Sequence, residues 1–130
     1  MRTKILILGL ICLFFISGCQ KVPTTPDITG IKFPAPCDVS ATVISSSSID
    51  LKWKNGTGYN TIEIYKKQKL GEFHGVYRLY ATIWGNNESW SDINCVAERE
   101  YCYKLKGRYM HGPVGVSDYS NEACGTTPAF

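Results

Sequence analysis

The chain has only two histidines, which leaves few routes to catalysis. His74 and His111 both lie in loop-like sequence, and neither has a His, Asp or Glu nearby at metal-ligand spacing. Ser117 and the serine run at 45–48 lack the G-x-S-x-G context that exposes a nucleophile. No Gly-rich segment opens a helix to cradle phosphate. The eleven acidic residues are scattered, and sequence alone places no pair of them in a shared cleft. The expectation is therefore a protein without catalytic residues, metal or cofactor. Recognition chemistry is better represented. Trp84 follows Ala81-Thr82-Ile83 in a turn, and the loop Arg108-Tyr109-Met110-His111-Gly112-Pro113-Val114 is unusually apolar. Aromatic and Arg side chains are common interface anchors, and loops on a rigid scaffold often carry recognition. Trp84, Arg108, Tyr109, Met110 and His111 are accordingly the candidate binding residues. The alternative is that Trp84 folds back onto the sheet edge and Met110 packs beneath Tyr109.

The N-terminus says where such a surface would be displayed. Arg2 and Lys4 precede twelve largely apolar residues at 5–16. As a helix these rise only about 18 Å, short of a bilayer core of roughly 30 Å. That length and order fit a cleaved export signal. The tetrad Ile16-Ser17-Gly18-Cys19 resembles the bacterial lipobox, an aliphatic residue and two small ones before Cys. The resemblance implies a signal peptide at 1–18, with diacylglycerol on the Cys19 thiol and usually an acyl chain on its amine. Two or more chains hold a protein firmly in a bilayer where one is marginal. Gln20 stands where an Asp would mark inner-membrane retention in Gram-negative cells, so outer-membrane residence is expected if the host has one.

Loss of Arg2 and Lys4 leaves twelve basic against eleven acidic residues, which argues against a nucleic-acid binder. Lys66, Lys67 and Lys69 are the single basic cluster and read as a solvated turn. Residues 19–35 carry Pro23, Pro26 and Pro34 among Thr, Asp and Gly, and read as an extended tether.

Residues 36–128 form the expected domain. Val39, Ala41 and Val43 alternate with polar residues, as do Ile49, Leu51 and Trp53, Ile62 and Ile64, and Tyr101, Tyr103 and Leu105. Period two with β-branched and aromatic enrichment marks half-buried strands. Turn signals at 45–48, Asn55-Gly56, Gly71, Gly85-Asn86-Asn87 and Gly112-Pro113 separate them. An all-β antiparallel sandwich follows.

Pro36-x-x-Val39 and Ile49-Asp50-Leu51-Lys52-Trp53 resemble strands A and B of a fibronectin type III domain, itself immunoglobulin-like, with Trp53 as its core tryptophan. Trp90-Ser91-Asp92 through Tyr101-Cys102-Tyr103-Lys104-Leu105-Lys106 resembles strands E to F, with Tyr101 at the tyrosine corner. Residues 117–123 and Thr126-Thr127-Pro128 are similar to strand G, and the resemblance implies a seven-stranded antiparallel β-sandwich. Two departures stand out: Cys95 where the family usually has Leu, and a long C-to-D connection at 66–77.

Four cysteines remain in the domain, and exported proteins favour disulfides. If Tyr109 faces Ser117 on neighbouring F and G strands, Cys102 falls opposite Cys124, both pointing to solvent. Cys37 and Cys95 then pair by elimination, although the topology puts them at opposite poles. The resulting expectation is a membrane-anchored lipoprotein that displays one such domain as a protein-binding or envelope-assembly module. Its partners would be the bilayer, through acylated Cys19, and an envelope protein. A glycan held by Trp84 and loop aromatics is the rival.

Overall fold

The computed structural model describes residues 33–56, 59–110 and 114–130. The signal segment, Cys19, the tether up to residue 32 and His111 lie outside the described residues. Two antiparallel sheets face each other. One joins β1 (Cys37–Ser45), β2 (Ser48–Lys54) and β6 (Ser89–Asp92) in the order β1-β2-β6. The other is built on β3 (Thr61–Leu70) and β7 (Glu100–Tyr109), paired over nine residue pairs from Thr61–Arg108 to Lys69–Glu100. On the far side of β3 lie β4 (Phe73–His74) and β5 (Arg78–Trp84); on the far side of β7 lie β8 (Gly115–Val116) and β9 (Ala123–Thr126). β4 with β5, and β8 with β9, each form one interrupted strand, which makes seven.

The alternation places side chains as period two requires. Val39, Ile49, Leu51, Trp53, Ile62, Ile64, Tyr101, Tyr103 and Leu105 fill the space between the sheets. Trp53 is buried and its indole N–H donates to Asn55 Oδ1 at 2.8 Å, so the largest core side chain leaves no unmet donor. At one pole Phe33 stacks on Tyr109 with ring centroids 4.2 Å apart, and Tyr59 packs edge-on against Tyr109 at 5.0 Å. The Tyr59 hydroxyl donates to the Pro34 carbonyl. Gly107 makes room for this cluster, because a Cβ there would lie 2.1 Å from the Tyr59 ring. The chain thus enters the domain at the pole shared by Asn55, Trp84 and Met110.

The long connection at 66–77 is not a loop. β3 continues to Leu70, turns through Gly71-Glu72, and returns at Phe73 opposite Leu70. Gly71 has φ +56°, as a hairpin turn with a positive-φ residue in first place demands. Lys66, Lys67 and Lys69 are therefore strand residues, correcting their reading as a solvated turn. Each meets a carboxylate: Asp92 at 2.5 Å, Glu122 at 3.3 Å and Glu100 at 3.0 Å.

Cys102 and Cys124 face each other across β7 and β9 and are bonded. The register assumed at the tip is different, however. Tyr109 faces Gly115, and Ser117 meets Gly107 through its backbone N–H and its Oγ, both at 2.8 Å. Two extra residues are absorbed between β8 and β9, where Ser120 Oγ accepts from Leu105 N–H at 2.8 Å. Cys102 is buried rather than solvent-facing, and only Cys124 is exposed. Cys95 is a free, buried thiol, so the pairing of Cys37 with Cys95 is not formed. The physical reason is distance along the sandwich. Cys37 opens β1 at one pole, whereas the Cys95 amide bonds Ser47 at the other.

Replacing Cys102 and Cys124 together by Ala should lower unfolding free energy by about 2–4 kcal/mol in urea titration. A peptide map of the native protein should link these two. Alkylation of Cys95 should require denaturant; its ready modification in the folded protein would contradict the packing described.

Candidate functional site

The residues expected to form a binding loop are only partly available. Trp84 ends β5 and is 68% exposed, so it does not fold back onto the sheet. Thr61 lies between Trp84 and Arg108 in the register, which sets both on one outer row. The Arg108 guanidinium is held by Glu63 at 2.6 Å. Tyr109 is buried in the Phe33–Tyr59 cluster. Met110 is exposed, and its N–H donates to Asn60 Oδ1. Of the described members, Trp84 and Met110 present themselves to a partner.

Beyond these, the outer face of β3 and β7 carries a layer of Tyr and Lys. Tyr65 and Tyr119 meet edge-on at 5.1 Å, with Lys106 Nζ 4.1 Å from the Tyr119 ring centre and Lys104 Nζ 4.9 Å from that of Tyr77. Burial and the hydrogen bond to Glu63 push the Tyr65 hydroxyl up to about 12. The lysines occupy the ring faces that a sugar or a partner would use, so the layer is self-contained.

The opposite, inward face of β3 hides a polar centre that the sequence reading missed. Ile62, Ile64 and Lys66 alternate inward, which drives Lys66 between the sheets. There it meets Asp92, the last residue of β6, whose side chain is 0% exposed. Asp92 Oδ2 also accepts from the Tyr103 hydroxyl at 2.8 Å; Oδ1 accepts from Asn94 N–H at 3.1 Å and the Tyr80 hydroxyl at 3.3 Å. Lys66 Nζ sits 4.3 Å from the ring centres of both Tyr80 and Tyr101. Burial alone would raise the Asp92 pKa. The hydrogen bonds from Lys66, Tyr103 and the Asn94 amide outweigh it and hold the carboxyl below its usual range. Burial would likewise lower Lys66, and Asp92 reverses that, raising it. Cys95 lies alongside, 3.7 Å from the Tyr103 hydroxyl, its thiol pKa pushed up by burial. A buried, protonated thiol of this kind is inert.

Nothing here resembles an active centre among the described residues. Ser117 Oγ is spent on Gly107 and Asp118, and the serines at 45, 47 and 48 bond one another. Among the described residues the one close set of metal-type donors is Glu100, Cys102 and Cys124, and the disulfide removes both sulfurs.

Among the described residues, the tip of the β3–β4–β5 hairpin, far from where the chain enters, gathers several exposed apolar side chains. Phe73 is 74% exposed, and Leu70, Val76, Leu79 and Tyr80 are exposed beside it. With Arg78 they line an open groove of about 620 Å³. The sequence signal was the apolar residues around Gly71, obscured because 66–77 read as a connection.

The decisive fold marker is Tyr101. Its hydroxyl accepts the Val96 N–H at 2.8 Å, closing the corner between the sheets just before β7. The fold is that of a fibronectin type III domain. No protein-family profile matches the chain, and no curated protein matches its sequence. Solved structures do. A fibronectin type III-like protein from Clostridium thermocellum superposes with TM-score 0.59 at 22% identity, covering 74% of this chain and 94% of that one. A fibronectin type III domain of human collagen XX gives 0.59 at 22%, covering 75% and 96%. A β-1,2-glucanase from Parabacteroides distasonis gives 0.61 at 18%, covering 78% of this chain but 13% of the enzyme.

The buried pair makes a prediction with a definite sign. Lys66→Met or Asp92→Ala alone should cost about 3–5 kcal/mol, since each strands a buried charge, while the double variant should cost less than their sum. The folded Asp92 pKa is lowered, so its stabilisation is complete above the unfolded value of about 3.9 and is lost as pH falls through the folded value. Lys66 is raised, so its share is complete below about 10.4 and is lost as pH climbs through the folded value. Unfolding titrations at acid pH should therefore show a steeper loss for the native chain than for the double variant.

Proposed function

We propose that the chain is a bacterial lipoprotein, anchored through acylated Cys19, that displays its fibronectin type III domain as a non-catalytic binding module in the cell envelope. The lipobox tetrad and the export signal before it support the anchor. One observation carries the binding role: the apolar hairpin surface of Leu70, Phe73, Val76 and Leu79 lies at the pole opposite Phe33. A tethered domain entered at Phe33 holds this surface away from the membrane, separated by the length of β3, roughly 30 Å for ten residues. Contiguous exposed apolar area on a small soluble domain marks an interaction site.

A second reading keeps Trp84 as a platform for sugar rings, favoured by its exposure at the end of β5. Trp84 stands at the pole where the chain enters and serves a glycan close to the anchor.

Photo-crosslinking residues placed in living cells at Phe73, at Trp84 and at Lys52 on the opposite sheet separate these readings. Position 73 should give a discrete crosslinked protein, with position 52 blank. Crosslinks equal at all three positions, or at 84 alone, would contradict the hairpin assignment. In the same cells Cys19→Ser should abolish incorporation of a clickable fatty acid; equal labelling would remove the anchor.

A further inference from the structure

We propose that the hairpin groove takes an extended peptide segment of a partner protein, one that sets a carboxylate beside apolar side chains and pairs it with Arg78; this rests on the binding role proposed above. The groove is open to solvent along the hairpin. Its walls are Leu70, Phe73, Val76, Leu79 and Tyr80, which suit aliphatic side chains. Its charge is one-sided. No acidic residue lines it, and of its two formal cations Lys66 is committed to buried Asp92. Arg78 is exposed and enters no salt bridge among the described residues. A guanidinium at the rim of an apolar groove selects a carboxylate, which it can hold with two parallel hydrogen bonds.

The backbone beside the groove favours a peptide over a second copy of the domain. Among the described residues β5 pairs with β3 alone, so its outer edge from Ala81 to Ile83 offers free ladder positions, while the Trp84 carbonyl already accepts from Asn87 Nδ2 at 2.7 Å. That edge is not a long flat template. The strand is interrupted between His74 and Arg78, and its register shifts again between Leu79 and Ala81, where Tyr80 is the extra residue. Bulges and breaks of this kind block edge-to-edge stacking of rigid sheets. A flexible segment can follow them, adding a short strand along β5 while its side chains enter the groove.

The test is selection of a phage-displayed library of random linear peptides on the full chain, purified in detergent, followed by affinity measurement of the enriched peptides. The expected peptides combine Asp or Glu with Leu, Ile or Val. Arg78→Glu should weaken them by about tenfold or more, as loss of a charge-assisted contact does. Leu79→Asp should also weaken them, and Lys52→Glu on the other sheet should leave them unchanged. No enrichment, enriched peptides without acidic residues, or peptides that bind Arg78→Glu as tightly as the native chain would overturn the proposal. So would a concentration-dependent dimer abolished by Phe73→Asp, which would make a second copy the occupant. A crosslink from position 73 in cells together with any of these results would leave the binding role standing and remove only the peptide chemistry.

Discussion

Asp92 is a carboxylate with no access to water, and the far half of the sandwich is arranged around it. A bare buried carboxylate would be prohibitive, so it must be met by charge and by hydrogen bonds. The partners come from three strands and a loop: Lys66 from β3, Tyr80 from β5, Tyr103 from β7, and the Asn94 amide. Since Asp92 itself ends β6 in the opposite sheet, one charged group ties both layers together. Such a centre adds little net stability compared with a well-packed apolar one. What it adds is geometry, because the four partners must arrive in one arrangement for the charge to be satisfied.

That arrangement sets the working surface. Lys66 and Tyr80 bracket the stretch where the β3–β5 hairpin leaves the body of the sandwich. Trp90 packs edge-on against Tyr80 at 5.9 Å, closing the gap between the sheets behind them. With Tyr80 held inward, the bulge beside it leaves Leu79 facing Tyr65 on the outer side of the strand. The polar centre and the groove thus adjoin on one segment, with Lys66 and Tyr80 belonging to both. The other pole is built differently, from stacked aromatics closed over by Phe33, and it receives the chain rather than offering a surface.

Much of the sandwich was legible because period two is a strong signal where one face is dry. The strands around Leu51, Ile62 and Tyr103 declared themselves in this way, and Tyr101 and Trp53 fixed their place in the fold. The Cys102–Cys124 bond was reached through a register that is wrong at the loop end and right at the far end, since two residues between β8 and β9 make up the difference. Lys66 was illegible for a specific reason. A lysine in an alternating pattern reads as outward, and only the position of Asp92 in the other sheet makes its inward placement affordable. The hairpin was hidden by the same residues, because three lysines and a glycine look like solvent-exposed turn sequence. Arg108 and Tyr109 looked like loop anchors because sequence does not show that Glu63 and Phe33 already occupy them.

The central claim is that the Asp92 centre holds the hairpin, and with it the groove, onto the sandwich. Hydrogen exchange read by mass spectrometry on Asp92→Asn, which keeps the shape and removes the charge, tests it most directly. The account predicts faster exchange confined to amides of β4, β5 and the end of β3 beyond Lys66, with β2 and the first half of β7 as protected as in the native chain. Unchanged protection of the hairpin, or a uniform loss across both sheets, would contradict it.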